Sequence, residues 1–451
     1  MIKKNDYYET TCIDISHEGF GVCKIDNFII FVPDLITGEK AKIKIVKMDK
    51  SYGYGRLIEL IEPSIYRIEP RCPVSSICGG CQLSHISYDY QKEIKKNIVK
   101  NTFKKIANID INVHDVIGMN DPYYYRNKMQ VPVGIKDNKL VYGYYHLNSH
   151  DIIPIKGCLI SSALSNRLLE KIIFLLEKYK NDAYNEITLN GNIRHIIIKH
   201  GFKTNQLMLI IVTNKDSIKN INEIIDELLK EFDVTTIIQN INDKKTNTIM
   251  GEKEIVLYGN GYIFDYLEDI RLKISSKSFY QINPVQTEKL YTKAVEIANL
   301  DNNDIVLDAY SGIGSISLFV SKYVDKVYGI EIVSAAVKDA IENARINEIK
   351  NVEFICGDVE KEILKLSNKK IDVVFLDPPR KGCSNQFLDT IIKINPKKII
   401  YISCNVSTQS RDVLYLLGQG YKVGDAYPFD MFPQTYHIEN IVLLERIDKD
   451  G

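Results

Sequence analysis

The sequence predicts an α/β protein in which a parallel sheet flanked by helices fills the C-terminal part, behind a small β-barrel and a β-rich middle. Three observations predict it. From about residue 271, strand-length apolar runs (IVLDAY, KVYGIEI, VEFICGD, IDVVFLD, KKIIYIS) alternate with helical segments such as SAAVKDAIENARINEI, the pattern of strands joined by crossover helices. Residues 1 to about 64 instead break into short strands divided by turn residues, and Lys40 to Lys47 alternates largely with period two, which suits a half-buried strand in a barrel of the OB type. The 451 residues exceed one ordinary domain, so two or three are expected. The expected boundaries are 1–64 for the barrel, 65–270 for the middle and 271–451 for the α/β part.

Composition narrows the class. The chain is 45% apolar and 26% charged, normal for a globular protein. No run of 18 apolar residues occurs and the N-terminus (MIKKNDYYET) has no signal-peptide core, so a cytoplasmic protein without membrane contact is expected. The 58 basic and 58 acidic side chains cancel, which excludes a protein that coats nucleic acid but leaves room for a local basic groove. Gln91 to Lys105 offers one, with Lys92, Lys95, Lys96, Lys100, Lys104 and Lys105 against Glu93; a solvated helix face reads equally well. Nothing implies an oligomer. Nine cysteines without an export signal argue against a disulfide framework. Cys72, Cys78 and Cys81 crowd together, Cys158 stands alone, and Cys404 lies in a second motif. With no Trp and 28 Tyr, stacking on bases would fall to Tyr and Phe.

The first strand of the α/β part carries Asp308 and is followed by Gly312-Ile313-Gly314 and a helix. Glycines there let the backbone turn tightly and approach a ligand. Glu331 ends the next strand, 23 residues beyond Asp308, where a carboxylate meets ribose hydroxyls in nucleotide-binding folds. Asp358 and Asp377 end the third and fourth strands. Singly each could cap a helix. Together they line the rim where open α/β sheets bind ligands, a rim that repels pyrophosphate and favours a cationic nucleoside such as S-adenosylmethionine.

Asp377-Pro378-Pro379 resembles a loop of enzymes that methylate amino groups, except that Arg380 stands where an aromatic residue is usual. After the fifth apolar run, Ser403-Cys404-Asn405 brings a thiol to the same rim. Carbon 5 of uracil is too weak a nucleophile to take a sulfonium methyl unaided. A thiolate added to carbon 6 turns the ring into an enolate and makes carbon 5 nucleophilic, which is covalent catalysis; nearby positive charge, for which Arg380 is one source, would favour the thiolate. A general base must then remove the carbon 5 proton. His437-Ile438-Glu439 offers Glu439 and His437; alone, Glu439 reads as an ordinary strand-edge acid.

These residues resemble the bacterial RNA uracil-5-methyltransferases, specifically the iron–sulfur 23S ribosomal RNA branch with an N-terminal TRAM domain, over nearly the whole chain. The resemblance implies a Rossmann-like class I S-adenosylmethionine-dependent methyltransferase domain, an OB-type TRAM barrel and a β-rich central iron–sulfur domain. It implies Cys404 as nucleophile and Glu439 as base. Phe279-Tyr280-Gln281-Ile282-Asn283-Pro284 is similar to the signature that opens the catalytic domain, so Gln281, with Tyr310, Glu331 and Asp377, would line the cofactor pocket; Asp358 follows the general methyltransferase pattern instead. Where the family usually has proline two residues after the nucleophile, this chain has Val406, which bears on the stiffness of the loop.

Cys72, Cys78, Cys81 and Cys158 supply four thiolates that suit either Zn²⁺ or a [4Fe–4S] cluster. Gly79, Gly80 and Gln82 look like the family's cluster motif and so imply iron–sulfur, in a folding or RNA-contacting role. Cys12, Cys23, Cys356 and Cys383 read as small buried hydrophobes. The implied partner is a structured loop of 23S ribosomal RNA with its uridine flipped out. Tyr123-Tyr124-Tyr125-Arg126-Asn127-Lys128 and Gly191-Asn192-Ile193-Arg194-His195 are candidates for RNA contact, or else core tyrosines and a strand edge. Two alternatives stand beside this reading: a transfer-RNA uracil-5-methyltransferase, and a non-catalytic iron–sulfur RNA-binding protein.

Overall fold

The computed structural model describes residues 2–146, 149, 151–366 and 369–447. The chain forms two compact units. One comprises Met1–Pro122, Cys404–Arg411 and Asp425–Asn440; the other comprises Tyr123–Ser403, Asp412–Gly424 and Ile441–Gly451.

The first unit begins with a closed barrel of β1 (Tyr7–Ile15), β2 (Gly21–Ile25), β3 (Phe28–Val32), β4 (Lys40–Met48) and β5 (Tyr52–Glu62), in the order β1-β2-β3-β5-β4. The alternation read in β4 is real: Ala41, Ile43 and Ile45 point inward while Lys40, Lys42 and Lys44 stay partly exposed. Closure leaves no unpaired sheet edge. The chain leaving the barrel is tied back by buried Glu39, which accepts from the amides of Ile36 and Ser64 at 2.9 and 3.1 Å and from Nε and Nη2 of Arg67, both at 2.6 Å.

Helix α1 (Tyr88–Ala107) buries Ile94, Ile98, Val99 and Phe103 at helical spacing and ends on Asn108 in the left-handed region. Its lysines do not form one free basic stripe. Lys92 pairs with Asp89, Lys96 with Asp115, and Lys95 is fully buried against Asp430 at 2.5 Å. Lys100, Lys104 and Lys105 remain exposed. Position on the helix decides this: residue 95 falls on the same face as Gln91, Ile94 and Ile98.

In the second unit, one seven-stranded sheet runs in the order β12-β11-β10-β9-β6-β7-β8. Its strands are β6 (Lys128–Lys136), β7 (Lys139–Tyr145), β8 (Ile152–Pro154), β9 (Ile193–His200), β10 (Leu207–Thr213), β11 (Thr236–Ile241) and β12 (Lys253–Tyr258), with α2 (Ala163–Lys178) and α3 (Ile221–Leu229) between them. Ile196, Ile198, Leu207, Leu209 and Ile211 pack toward α2 and α3. Ile197, Met208, Ile210 and Val212 pack on the other side against the hairpin of β13 (Tyr262–Leu267) and β14 (Ile270–Ser275). Burial on both faces explains why IRHIIIKH and LMLIIVT read as continuous apolar runs.

The α/β sheet follows α4 (Pro284–Ala298), whose start is set by Asn283 capping the Gln286 amide at 3.2 Å and by Pro284 at the first helical position. The elements are β15 (Ile305–Ala309), α5 (Ser315–Val320), β16 (Lys326–Glu331), α6 (Ser334–Ile346), β17 (Val352–Cys356), α7 (Val359–Lys365), β18 (Val373–Leu376), α8 (Asn385–Ile394), β19 (Lys398–Ser403), α9 (Val406–Leu417), β20 (Tyr421–Phe429) and β21 (Glu439–Arg446). The order is β17-β16-β15-β18-β19-β21-β20, and the first five strands pair in parallel. Strand order reverses between β15 and β18, the switch point at which such sheets open a ligand crevice. Cys12, Cys23 and Cys383 are buried as expected, but Cys356 is exposed, because β17 is an edge strand whose last residue has no neighbour on one side. Among the described residues no helix is long and apolar enough to cross a membrane.

The buried Lys95–Asp430 pair joins α1 to the Asp425–Asn440 segment inside the first unit. Burial pulls the Lys95 ammonium below its ordinary range, and Asp430 opposes that shift. Replacing only the cation, as in Lys95→Met, strands a buried carboxylate and is expected to cost about 3–5 kcal/mol, whereas Lys95→Met with Asp430→Leu recovers most of it. Urea unfolding of the two variants checks this; a single variant within 1 kcal/mol of the parent contradicts it.

Candidate active site

The carboxylates gather where the switch point lies. Asp308, on β15, is completely buried; its Oδ2 accepts from the Ser317 hydroxyl at 2.5 Å, and among the described residues its Oδ1 has no hydrogen-bond partner. Burial first, and the nearby charges of Asp377 and Glu331, push its carboxyl up to about 7 against the Ser317 hydrogen bonds. Asp377, half-buried after β18, is likewise pushed to about 7 by loss of solvent. Glu331 accepts from the Gly312 amide at 3.1 Å with one oxygen and from the Val333 amide at 2.7 Å with the other. Gln281 reaches Asp377 at 3.5 Å, the outer limit of a hydrogen bond.

Asp358 stands apart in role. It caps α7, accepting from the Glu360 amide at 3.1 Å, so the helix-cap alternative describes its contact.

The loop after β15 is shaped for a close approach. Tyr310 sits at φ +73°, a region a tyrosine rarely enters, and its ring meets Phe387 edge-on at 5.7 Å. Gly312 has φ +56°, and a Cβ there would meet nothing within 4 Å; Gly314, at φ +83°, would press a Cβ to 2.6 Å from the Phe354 ring. One glycine faces open space and the other admits the sheet. Ser311, which the sequence reading passed over, is buried with an Oγ that has no partner among the described residues. Its only signal was its place beside the glycines. Two unsatisfied buried oxygens, a cluster of acids and an open glycine fit a polar, cationic nucleoside.

The proposed reacting groups both belong to the first unit. Cys404, half-buried, follows the last residue of β19. Asn405 then starts α9: its side-chain oxygen accepts from the Ser407 amide at 3.1 Å and its carbonyl from the Gln409 amide at 3.1 Å. A helix N-terminus favours negative charge beside it. Val406 is the first helical residue and is buried, so the helix itself fixes the backbone that a proline ring would otherwise hold.

Glu439, 5% exposed, opens β21. The next residue, Asn440, donates to Gln409 Oε1 at 2.8 Å, and Gln409 Nε2 donates to the Asn440 carbonyl at 3.1 Å. This reciprocal buried amide pair pins the start of β21 to the first turns of α9. His437 packs its ring on Tyr436 and Phe432. Arg380 is exposed on the turn after Pro379.

The cysteine set divides. Cys72, Cys78 and Cys81 lie half-buried in a turn-rich loop of the first unit, and Cys158 belongs to the second, its amide held by Asn166 Oδ1 at 2.7 Å. Among the described residues no three His, Cys, Asp or Glu side chains converge to hold a metal ion. The thiols suit a soft metal by chemistry, but their described arrangement is not a cage.

Both RNA-contact motifs are partly structural. Tyr125 is buried, and buried Asn127 donates to the Gln281 carbonyl at 2.9 Å, which leaves Tyr124 and Arg126 for the surface. Arg194 and His195 are buried as well.

Comparison with known proteins agrees with this architecture. Residues 87–447 match the family model described as tRNA (uracil-5-)-methyltransferase, and residues 6–58 match the TRAM domain. An uncharacterized RNA methyltransferase of Clostridium acetobutylicum is 45% identical over 454 residues, covering 99% of each chain. One of Oceanobacillus iheyensis is 44% identical, covering 98% of this chain and 97% of that one. The crystal structure of a Pyrococcus abyssi tRNA (uracil-54, C5)-methyltransferase in complex with S-adenosyl-L-homocysteine superposes with a TM-score of 0.79 at 24% identity, over 97% of this chain and 100% of that one; that likeness is one of fold. With the family model spanning most of the sequence and relatives alike from end to end, the protein belongs to the TRAM-containing RNA uracil-5-methyltransferase family.

Proposed function

We propose that this protein methylates carbon 5 of uridines in 23S ribosomal RNA, with S-adenosylmethionine as methyl donor, Cys404 as nucleophile and Glu439 as base. The observation that carries the reading is the Gln409–Asn440 pair, which ties the residue after Glu439 to the helix that begins beside Cys404. When bound, S-adenosylmethionine supplies an electrophilic methyl group. Asp308, Tyr310, Ser311, Gly312, Glu331, Asp377 and Gln281 are the residues to hold it, Asp358 acting from its helix cap.

Cys404 sulfur adds to carbon 6 of the flipped uracil, and the electron pair this places on carbon 5 takes the methyl. Glu439 then accepts the carbon 5 proton, the carbon 6–sulfur bond breaks and the thiolate is regenerated. The barrel supplies an RNA-gripping surface: Phe31, Tyr52 and Tyr54 cluster edge to face, and Lys42 and Lys44 lie over the Tyr7 ring, a mixture of rings and cations suited to single strands. The likeness of the cysteine loop to the 23S ribosomal RNA branch supports ribosomal RNA, and the transfer-RNA enzyme that shares the fold over 97% of this chain keeps transfer RNA as the alternative substrate. Against the absence of any converged ligand group among the described residues, the four-thiolate chemistry and the resemblance of the Gly79-Gly80 and Gln82 surroundings alone support assigning Cys72, Cys78, Cys81 and Cys158 to a [4Fe–4S] cluster that serves folding or RNA contact; no step of the reaction is routed through it.

With 5-fluorouridine-containing 23S ribosomal RNA and methyl donor, the protein is expected to form an adduct that survives denaturation, and Cys404→Ala to form none. Glu439→Gln should accumulate the same adduct on ordinary uridine while turnover falls about 10²–10⁴-fold. An adduct in Cys404→Ala sinks the nucleophile assignment, and an adduct with transfer RNA alone moves the substrate there.

The acids at the rim make cofactor binding depend on pH. A cation favours their ionised forms, so S-adenosylmethionine should bind more tightly as pH rises through about 7, with proton release. Calorimetry in two buffers should show a smaller release in Asp308→Asn; affinity flat between pH 6 and 8 would count against the rim. Protein purified without oxygen is expected to carry roughly four iron atoms and to be coloured in visible light, both lost in Cys78→Ser; zinc in their place refutes the cluster.

A further inference from the structure

The second unit contains a cavity of about 660 Å³ that shares no residue with the carboxylate rim or with the Cys404–Glu439 segment. Its size is that of pockets that enclose a small molecule. Four features of its lining specify the occupant.

His195, on β9, is 8% exposed, and among the described residues its Nδ1 has no hydrogen-bond partner. Burial, and then the charge of Arg194, push the imidazole down to about 4. The ring is therefore neutral near pH 7 and offers one donor and one acceptor. Arg194 lies with its guanidinium 4.6 Å from the Tyr184 ring centroid, while Nη1 donates to the carbonyls of Asn242 and Lys244 at 2.6 and 2.9 Å. That is a rigid flat platform. Tyr145 adds a second ring, and burial holds its hydroxyl above the ordinary phenol range.

Charge selects among flat ligands. Arg194 and Lys245 are matched in the lining by Asp151 and Glu186. A free phosphate or polyphosphate would meet two carboxylates, whereas a neutral ring with polar edges meets donors and acceptors in equal supply.

The fourth feature is the loop at the mouth. Asn185 Oδ1 accepts from the amides of Ile187 and Thr188, both at 2.9 Å, and the Asn185 amide donates to the Asn190 carbonyl at 2.7 Å. Gly191, at φ +91°, closes the loop where a Cβ would stand 1.9 Å from the Ala183 carbonyl oxygen. This locked turn holds Ile187 92% exposed at the cavity. An apolar side chain fixed in water beside an aromatic platform is the arrangement of a wedge between bases.

We infer that this cavity binds one unstacked nucleotide of the RNA substrate, other than the uridine that is methylated, its base against Tyr184 and Tyr145 with an edge on His195, its phosphate near Lys245, and Ile187 holding the neighbouring base apart. The inference rests on the RNA-methylating reading above and adds a second base-binding site to it. Full-length protein is tested with fluorescein-labelled ten-nucleotide oligouridine and oligoadenosine, and with a 4-thiouridine-containing oligouridine for photocrosslinking. Tyr184→Leu and the exposed-loop variant Lys245→Ala should each weaken oligonucleotide binding roughly tenfold. The crosslink should fall within residues 184–195. The rate of the 5-fluorouridine adduct on Cys404 at saturating RNA should not change. Unaltered affinity in both variants together with a crosslink elsewhere overturns the inference, even if the adduct forms. Loss of binding in the variants while no adduct forms in the parent protein supports the cavity and overturns the reaction instead. Lys245→Ala decides alone if Tyr184→Leu does not fold.

Discussion

The hydrogen bonds between Gln409 and Asn440 are the constraint that ties the helix beginning beside Cys404 to the strand opened by Glu439. Both side chains are fully buried; Asn440 Nδ2 donates to Gln409 Oε1 and Gln409 Nε2 donates to the Asn440 backbone carbonyl, so rotating either side chain away leaves polar atoms dry at about 1–3 kcal/mol. Gln409 is fixed in α9, whose first turn is set by Asn405; Asn440 is fixed in β21. A nucleophile and a proton acceptor must keep their separation through several chemical steps. For the proposed pair, Cys404 and Glu439, the neighbouring backbone and amides fix where the two residues sit.

The cofactor rim follows a different logic. Asp308 is kept buried with Ser317 serving one of its oxygens while Oδ1 has no partner among the described residues, a state that costs stability without a cation and is relieved by one. Phe354 on the edge strand lies over Gly314 and Gly329, each of which would bring a Cβ to 2.6 Å from its ring. The Phe354 ring thus fills the space that side chains at positions 314 and 329 would need.

Much of this could be read in the sequence, for physical reasons. Strands buried on both faces announce themselves as apolar runs, and β4 announced its one wet face by alternation. Asp308, Glu331 and Asp377 were legible because a parallel sheet brings the ends of successive strands to one rim whatever lies between. What failed were inferences from residue type alone. Tyr125 and Asn127 looked like RNA contacts but serve packing and a backbone carbonyl, since rings and amides suit cores as well as surfaces. Lys95 looked like surface charge because its partner is 335 residues away. The amide pair joining Gln409 to Asn440 left no trace, because a long-range hydrogen bond imposes no local periodicity.

The threading of the chain bears on how the protein is made. The first unit draws on residues at both ends of the sequence, Met1–Pro122 and stretches ending at Asn440. A ribosome adding about 5–20 residues per second releases Asp430 roughly 20–70 seconds after Lys95. For that interval the N-terminal half of the unit is a nascent fragment with an unneutralised ammonium and an uncovered apolar helix face. The second unit is synthesised almost entirely in the meantime and can collapse on its own sheets. Birth order therefore completes most of the unit that carries Asp308, Glu331 and Asp377 first, and leaves the unit that carries Cys404 and Glu439 to close only when Asp425–Asn440 has been made.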